Sequence, residues 1–132
     1  MRYKLLGRSK IKLPVVGIGC GGIGGTFSRA SQGDKEYIER IKTGIDAGMT
    51  FIDTAEGYGN GHSEELVGIA TNGIREKVLI ASKVSPEHLS FKSVLESAEN
   101  SLRRLRIEYI DLYQIHWSNP RIPVEETMCA FS

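Results

Sequence analysis

Apolar positions along the chain switch repeatedly between two periods. Tyr3–Leu6 and Lys10–Leu13 are short alternating runs on either side of Gly7-Arg8-Ser9, which predicts a β-hairpin closed by Pro14. Val15–Cys20 reads as a glycine-diluted buried strand, and Gly21 to Ser31 as a loop too rich in Gly and Ser for regular structure. Ile38, Ile41 and Ile45 share one helical face, which predicts a helix capped by Asp34, running to about Ala47 and stopped by Gly48. Thr50–Asp53 is β-branched or aromatic up to its terminal carboxylate and reads as a short buried strand. Gly57, Gly59, Asn60 and Gly61 then make a loop. Ser63 is placed to cap a further helix, with Glu64 and Glu65 in its first turn, where the helix dipole favours acids; it ends near Asn72-Gly73. Val78–Val84 is a third strand. Ser90 to Arg106 carries Val94, Ala98, Leu102 and Leu105 on one stripe, with charges opposite. Ile110–Trp117 is a fourth strand, Asn119-Pro120 turns the chain, and Pro123 opens another helix.

A hairpin followed by strands alternating with amphipathic helices predicts an α/β fold with right-handed βαβ units and a parallel sheet. The expected organisation is one unit over 1–132, with the hairpin at 1–14 and the alternating strands and helices at 15–132. The 132 residues suit a single small domain, and 40% apolar with 25% charged content is that of a soluble globular protein. A net charge of +1 gives no reason to expect nucleic acid or an anionic membrane surface. Cys20 and Cys129 form no CxxC pair, which predicts two reduced thiols in a cytoplasmic protein. The charged N-terminus lacks the apolar core of a signal peptide, and no apolar run approaches a membrane span.

Side-chain parity concentrates the chemistry. Alternate residues of a strand share a face, which groups Phe51 with Asp53, Leu79 and Ala81 with Lys83, and Leu112 and Gln114 with His116. If each strand turns that face inward, Asp53, Lys83 and His116 converge at the carboxyl end of the sheet. Parallel α/β proteins build their sites there, and Tyr58 lies on the loop just beyond Asp53. An inward Lys83 beside an inward Asp53 predicts an ion pair, since neither charge is readily buried alone. A lysine near a phenol favours the phenolate, which suits Tyr58 to acid–base work near neutral pH. His116 is then placed to donate a hydrogen bond to a substrate oxygen.

Four segments carry a family resemblance: Phe51-Ile52-Asp53-Thr54-Ala55-Glu56-Gly57-Tyr58-Gly59, Ser63-Glu64-Glu65-Leu66-Val67-Gly68, Ile80-Ala81-Ser82-Lys83-Val84 and Tyr109-Ile110-Asp111-Leu112-Tyr113-Gln114-Ile115-His116. In order and spacing the chain resembles the aldo-keto reductases over nearly its whole length. The resemblance implies the N-terminal half of a (β/α)8 barrel plugged by the hairpin, carrying parallel strands one to four. It implies NADPH-dependent reduction of an aldehyde or ketone, with hydride from the nicotinamide and no metal. It assigns Tyr58 as proton donor, Lys83 as its tuning cation, Asp53 as the partner of Lys83 and His116 as the group that orients the carbonyl. Gly21 and Gly22 would let the chain pass close to substrate and nicotinamide, and Asp53 would border the cofactor. A complete barrel needs about 250 residues. The expectation is therefore a truncated or split reductase that lacks most of the cofactor cradle and associates through exposed barrel edges.

Other readings stand beside this one. Asp53 and Lys83 also suit a purely structural ion pair, Tyr58 an ordinary loop aromatic and His116 a core histidine. His62 and His88 read as loop histidines with no role, and His62 with Glu64 and Glu65 has no metal-ligand spacing. Gly17, Gly19 and Gly22 satisfy G-x-G-x-x-G, as do Gly19, Gly21 and Gly24, so a Rossmann-like dinucleotide-binding domain is the runner-up. That fingerprint requires a helix at its third glycine, where this sequence has loop. A non-catalytic barrel fragment or interaction module is the remaining alternative.

Overall fold

A computed structural model describes all residues, 1–132. The elements in order are β1 (Tyr3–Leu5), β2 (Lys12–Pro14), β3 (Ile18–Gly19), α1 (Asp34–Asp46), β4 (Phe51–Asp53), α2 (His62–Ala70), β5 (Leu79–Val84), α3 (Phe91–Leu105), β6 (Leu112–Ile115) and α4 (Val124–Ala130). β1 and β2 pair antiparallel as the hairpin, with Lys4 opposite Leu13. The other four strands form one parallel sheet in the order β3-β4-β5-β6.

That order is sequential, each strand lying beside the next. With helices between them, the strands wind in one direction, as in the first half of a (β/α)8 barrel. It removes the Rossmann reading on two counts. A dinucleotide fold reverses its strand order, and a helix opens at its third glycine; here Gly22 and Gly24 sit in turns with positive φ, and α1 begins only at Asp34.

The two faces of the sheet divide as parity requires. Ile52, Ile80, Ser82 and Val84 point to the helices and are fully buried. Ile52 and Ile80 join Ile41, Ile45, Val67 and Leu105 in the core between sheet and helices. At about 1.5–3 kcal/mol for each buried aliphatic side chain, this layer dominates the stability of the unit. On the opposite face, Phe51, Leu79 and Leu112 are half-buried and Gln114 is exposed. The register sets Phe51 beside Leu79, Asp53 beside Ala81, and Lys83 beside Gln114, so the predicted inward set does share one face. No helix is long and apolar enough to cross a membrane.

Several local expectations are corrected. Only Ile18–Gly19 of the predicted first strand is paired as strand, because β4, its sole neighbour, is three residues long. Asp34 is not the cap of α1. Gly33, in the left-handed region, precedes the helix, and Asp34 is its first residue. Ser63 does not cap α2 either, which starts at His62 after Gly61. The Ser63 hydroxyl is buried and reaches across the fold, 3.0 Å from Thr54 Oγ1 and 3.3 Å from the Cys20 carbonyl, to which it donates. Glu64 and Glu65 do stand in the first turn of α2, but Glu64 does more than face the helix dipole. Its side chain is fully buried, accepting from Arg104 Nε at 2.6 Å and from Ser82 Oγ at 2.5 Å. That carboxylate ties α2, α3 and β5 together.

Candidate active site

The carboxyl ends of β4, β5 and β6 and the loops that follow them bring the predicted chemistry to one place. Asp53 closes β4, and Lys83 is the penultimate residue of β5. Lys83 Nζ lies 2.7 Å from Asp53 Oδ1 and donates to the Thr54 carbonyl at 2.9 Å. The lysine side chain is 13% exposed and the aspartate 38%, so the cation is the better shielded partner. Removing either would leave a charge short of its partner in a partly desolvated setting.

Tyr58 begins a short 3-10 turn, Tyr58–Gly61, in which Gly59 and Asn60 adopt left-handed backbone angles. A side chain on Gly59 would collide with the Gly24 carbonyl, its Cβ falling 2.3 Å from that oxygen. The loop after β4 therefore packs directly on the loop after β3. The phenol ring points back over the sheet end. Lys83 Nζ stands 5.2 Å from its centroid, and Tyr58 Oη lies 3.5 Å from His116 Nε2. The Tyr58 and His116 rings meet edge to face at 5.4 Å. His116 follows β6 directly and stacks on Trp117. Burial holds the His116 imidazole below its ordinary 6.5, and the Lys83 cation adds to this, with Asp53 and Glu56 opposing. The ring is therefore neutral at pH 7, with one N–H to donate and one nitrogen to accept.

An open cleft of about 520 Å³ lies over these groups, lined by Gly21, Gly22, Tyr58, His116 and Trp117 among others. A Cβ on Gly21 would sit 3.8 Å from Tyr58 Cζ and narrow the slot beside the phenol. Gly22 has φ +88, a conformation that glycine adopts without strain. The six predicted residues thus form a chain of neighbours: Asp53 meets Lys83, Lys83 stands over the Tyr58 ring, and Tyr58 and His116 line the cleft together with Gly21 and Gly22.

Two histidines that read as featureless in the sequence are engaged. His62 is buried, with Nδ1 2.7 Å from Glu65 Oε2 and Nε2 3.0 Å from Asp34 Oδ2. Arg29 completes the group at 2.8 Å from Glu65 Oε2, which anchors the long glycine loop to α1 and α2. His88 Nδ1 lies 2.9 Å from Glu56 Oε1. Asp34 and Glu56 reach these histidines from other elements, so nothing local signals those two pairings; Glu65 lies three residues after His62 on α2, a spacing the sequence does carry. Cys20, buried under the site, is inert: burial, and then Asp53, push its thiol up to about 12, partly offset by Lys83.

A sequential parallel sheet with a hairpin at one end and polar groups at the carboxyl end of its strands defines a partial (β/α)8 barrel with a barrel-type site. The chain belongs to the aldo/keto reductase family, whose model matches residues 15–132. It is similar to the aldo-keto reductase YhdN of Bacillus subtilis, at 40% identity over 96% of this chain and 41% of the relative. It is similar to the methylglyoxal reductase YeaE of Escherichia coli, at 42% identity over 91% of this chain and 40% of the relative. The chain thus spans about 40% of the length of these curated relatives. Among solved structures, the thermostable aldo-keto reductase Tm1743, in complex with the inhibitor epalrestat, superposes with a TM-score of 0.96 at 50% identity, covering 99% of this chain and 48% of that one. An aldo-keto reductase from Klebsiella pneumoniae in complex with NADPH superposes with a TM-score of 0.82 at 40% identity, over 90% of this chain and 40% of that one.

Proposed function

We infer that this chain supplies the acid–base half of an NADPH-dependent carbonyl reductase acting on an aldehyde or ketone. The observation that carries the reading is that Tyr58 and His116 meet in one cleft beside bare glycine backbone, with the Lys83–Asp53 pair behind the Tyr58 ring. A bound reduced nicotinamide supplies the hydride. Tyr58 donates a proton from Oη to the carbonyl oxygen as it gains charge. Lys83 provides the positive field that stabilises the resulting phenolate, and Asp53 holds Lys83 in place. Neutral His116 donates its N–H to the same oxygen and orients the carbonyl.

The residues present fit one end of the cofactor. Gly21 and Gly22, beside Tyr58, would leave room for the nicotinamide ring, which would supply the hydride. The phosphates need cations or backbone donors, and no Lys or Arg lines this cleft. For the 132 residues alone we expect weak NADPH binding and negligible turnover. The same observation, with the open outer edges of β3 and β6, favours a second reading in which these residues alone act as a non-catalytic association module.

A chimera tests the first reading. Residues 1–132 are joined to the remaining part of the Tm1743 reductase, and NADPH oxidation by a simple aldehyde is followed. Tyr58→Phe should slow turnover by roughly 10²–10⁴-fold with NADPH affinity nearly unchanged. Near-normal turnover would remove Tyr58 as the proton donor.

A further inference from the structure

Glu56 stands between Asp53 and Tyr58 in sequence, and the acid–base mechanism gives it no task. Its side chain is only 8% exposed. Its backbone N–H donates to the Lys83 carbonyl at 3.3 Å. Its Oε1 accepts from the Ser85 N–H at 2.6 Å and lies 2.9 Å from His88 Nδ1. One residue thus grips the end of β5 and the start of the loop after it, on both sides of Val84. That loop is held in turn by the one after β6, where Asn119 Nδ2 donates to the Pro86 carbonyl at 2.8 Å. A continuous tie runs from the Tyr58 loop, through Ser85 and Pro86, to the loop that carries His116 and Trp117. Tyr58, Ser85, Pro86, His116 and Trp117 all line the same cleft.

We propose that Glu56 is a positioning residue, whose carboxylate sets the spacing of Tyr58, Lys83 and His116 by clamping the loop after β5 to the loop after β4. The proposal rests on the carbonyl-reductase reading for its functional meaning. Its geometry is independent of that reading. The carboxylate suits the task because a charged acceptor binds a backbone N–H about twice as strongly as a neutral one. Burial would raise its pKa, but the Ser85 N–H and His88 outweigh this and hold it below the ordinary 4.5, so the clamp is charged at neutral pH.

The test uses the 132-residue chain and needs no turnover. Trp117 is the only tryptophan and stacks on His116, so its fluorescence against pH reads the His116 midpoint. That imidazole is faced by Lys83 from β5, by Asp53 and Glu56 from β4 and its loop, and by the Tyr58 phenol. His116→Asn identifies the transition by abolishing it. Glu56→Asp keeps the charge but shortens the reach; Glu56→Gln keeps the reach but removes the charge. If position is what matters, Glu56→Asp should speed exchange of the Ser85 amide proton about tenfold or more. It should also move the midpoint up toward 6.5 as His116 gains water. Glu56→Gln, a weaker neutral acceptor of the same reach, should cost the Ser85 amide less protection than Glu56→Asp does and leave the midpoint unchanged or lower. A silent Glu56→Asp, whether or not Glu56→Gln has an effect, would overturn the proposal. Should the titration succeed and the chimera fail to reduce aldehydes, the reductase reading fails and the clamp stands.

Discussion

Arg104→Met isolates a fully buried carboxylate's ion pair, which joins two helices and a strand. Glu64 is completely buried, and Arg104 Nε meets it at 2.6 Å from a side chain that is 25% exposed. The substitution keeps most of the aliphatic bulk and takes away the cation. Glu64 then retains only the Ser82 hydroxyl among its side-chain partners. Breaking a buried pair from one side costs about 3–5 kcal/mol, because the remaining charge is left uncompensated. A small domain is stable by about 5–15 kcal/mol in total, so Arg104→Met should remove a large fraction of the folding free energy. Urea unfolding followed by far-ultraviolet circular dichroism measures it as a lower midpoint at unchanged slope. The double variant Glu64→Leu with Arg104→Met should recover much of the loss, since an apolar pair avoids the desolvation cost. An Arg104→Met midpoint that matches the native one would refute the claim that α2, β5 and α3 are joined by a compensated buried charge.

Further outcomes follow from other contacts. Lys83→Met in the chimera should slow turnover and shift its pH-rate profile by removing the cation beside Tyr58; an unchanged profile at unchanged rate would leave Lys83 structural. Glu56 and His116 both have folded pKa values below their ordinary 4.5 and 6.5, so the unfolded chain takes up protons first. The stability these two groups contribute should therefore be fully present near pH 7 and fall in two stages, below 6.5 and again below 4.5; Glu65, held low by Arg29, shares the second stage, so Glu56→Gln should shrink it in urea titrations against pH. His62→Ala should free the glycine loop and speed tryptic cleavage after Arg29; equal cleavage rates would show that the loop is held without it. The 132-residue chain should associate as concentration rises, through the open sheet edges and the half-buried Phe51, Leu79 and Leu112; sedimentation showing a monomer throughout the micromolar range would count against this.

What the sequence made legible was whatever has a period. The buried runs at Ile52, Ile80 and Val84 and the stripe of Val94 and Leu105 announce their elements locally. Strand parity alone placed Asp53 and Lys83 on the inward face. Capping was less legible, because Asp34 and Ser63 have suitable side chains but are used elsewhere. Asp34 is drawn to His62, and Ser63 to Thr54 and Cys20. The Glu64–Arg104 pair and the Glu56 clamp were invisible for a plainer reason. Their partners lie 40 and 29 positions away, and nothing in the sequence marks a carboxylate as buried until the helices are packed.

The register around Lys83 also bears on which genetic changes this chain can survive. Ser82, Lys83 and Val84 face alternately into the helix layer and the inward surface. A single codon lost earlier in β5 would shift that alternation by one place. Lys83 would be driven into the layer that now holds Ile52 and Ile80, and Val84 would arrive opposite Asp53 with no charge to offer. Amino-acid replacements along β5 should therefore be graded in their effects. In-frame insertions or deletions of one residue should abolish the fold outright, even where Asp53, Tyr58, Lys83 and His116 are all still encoded.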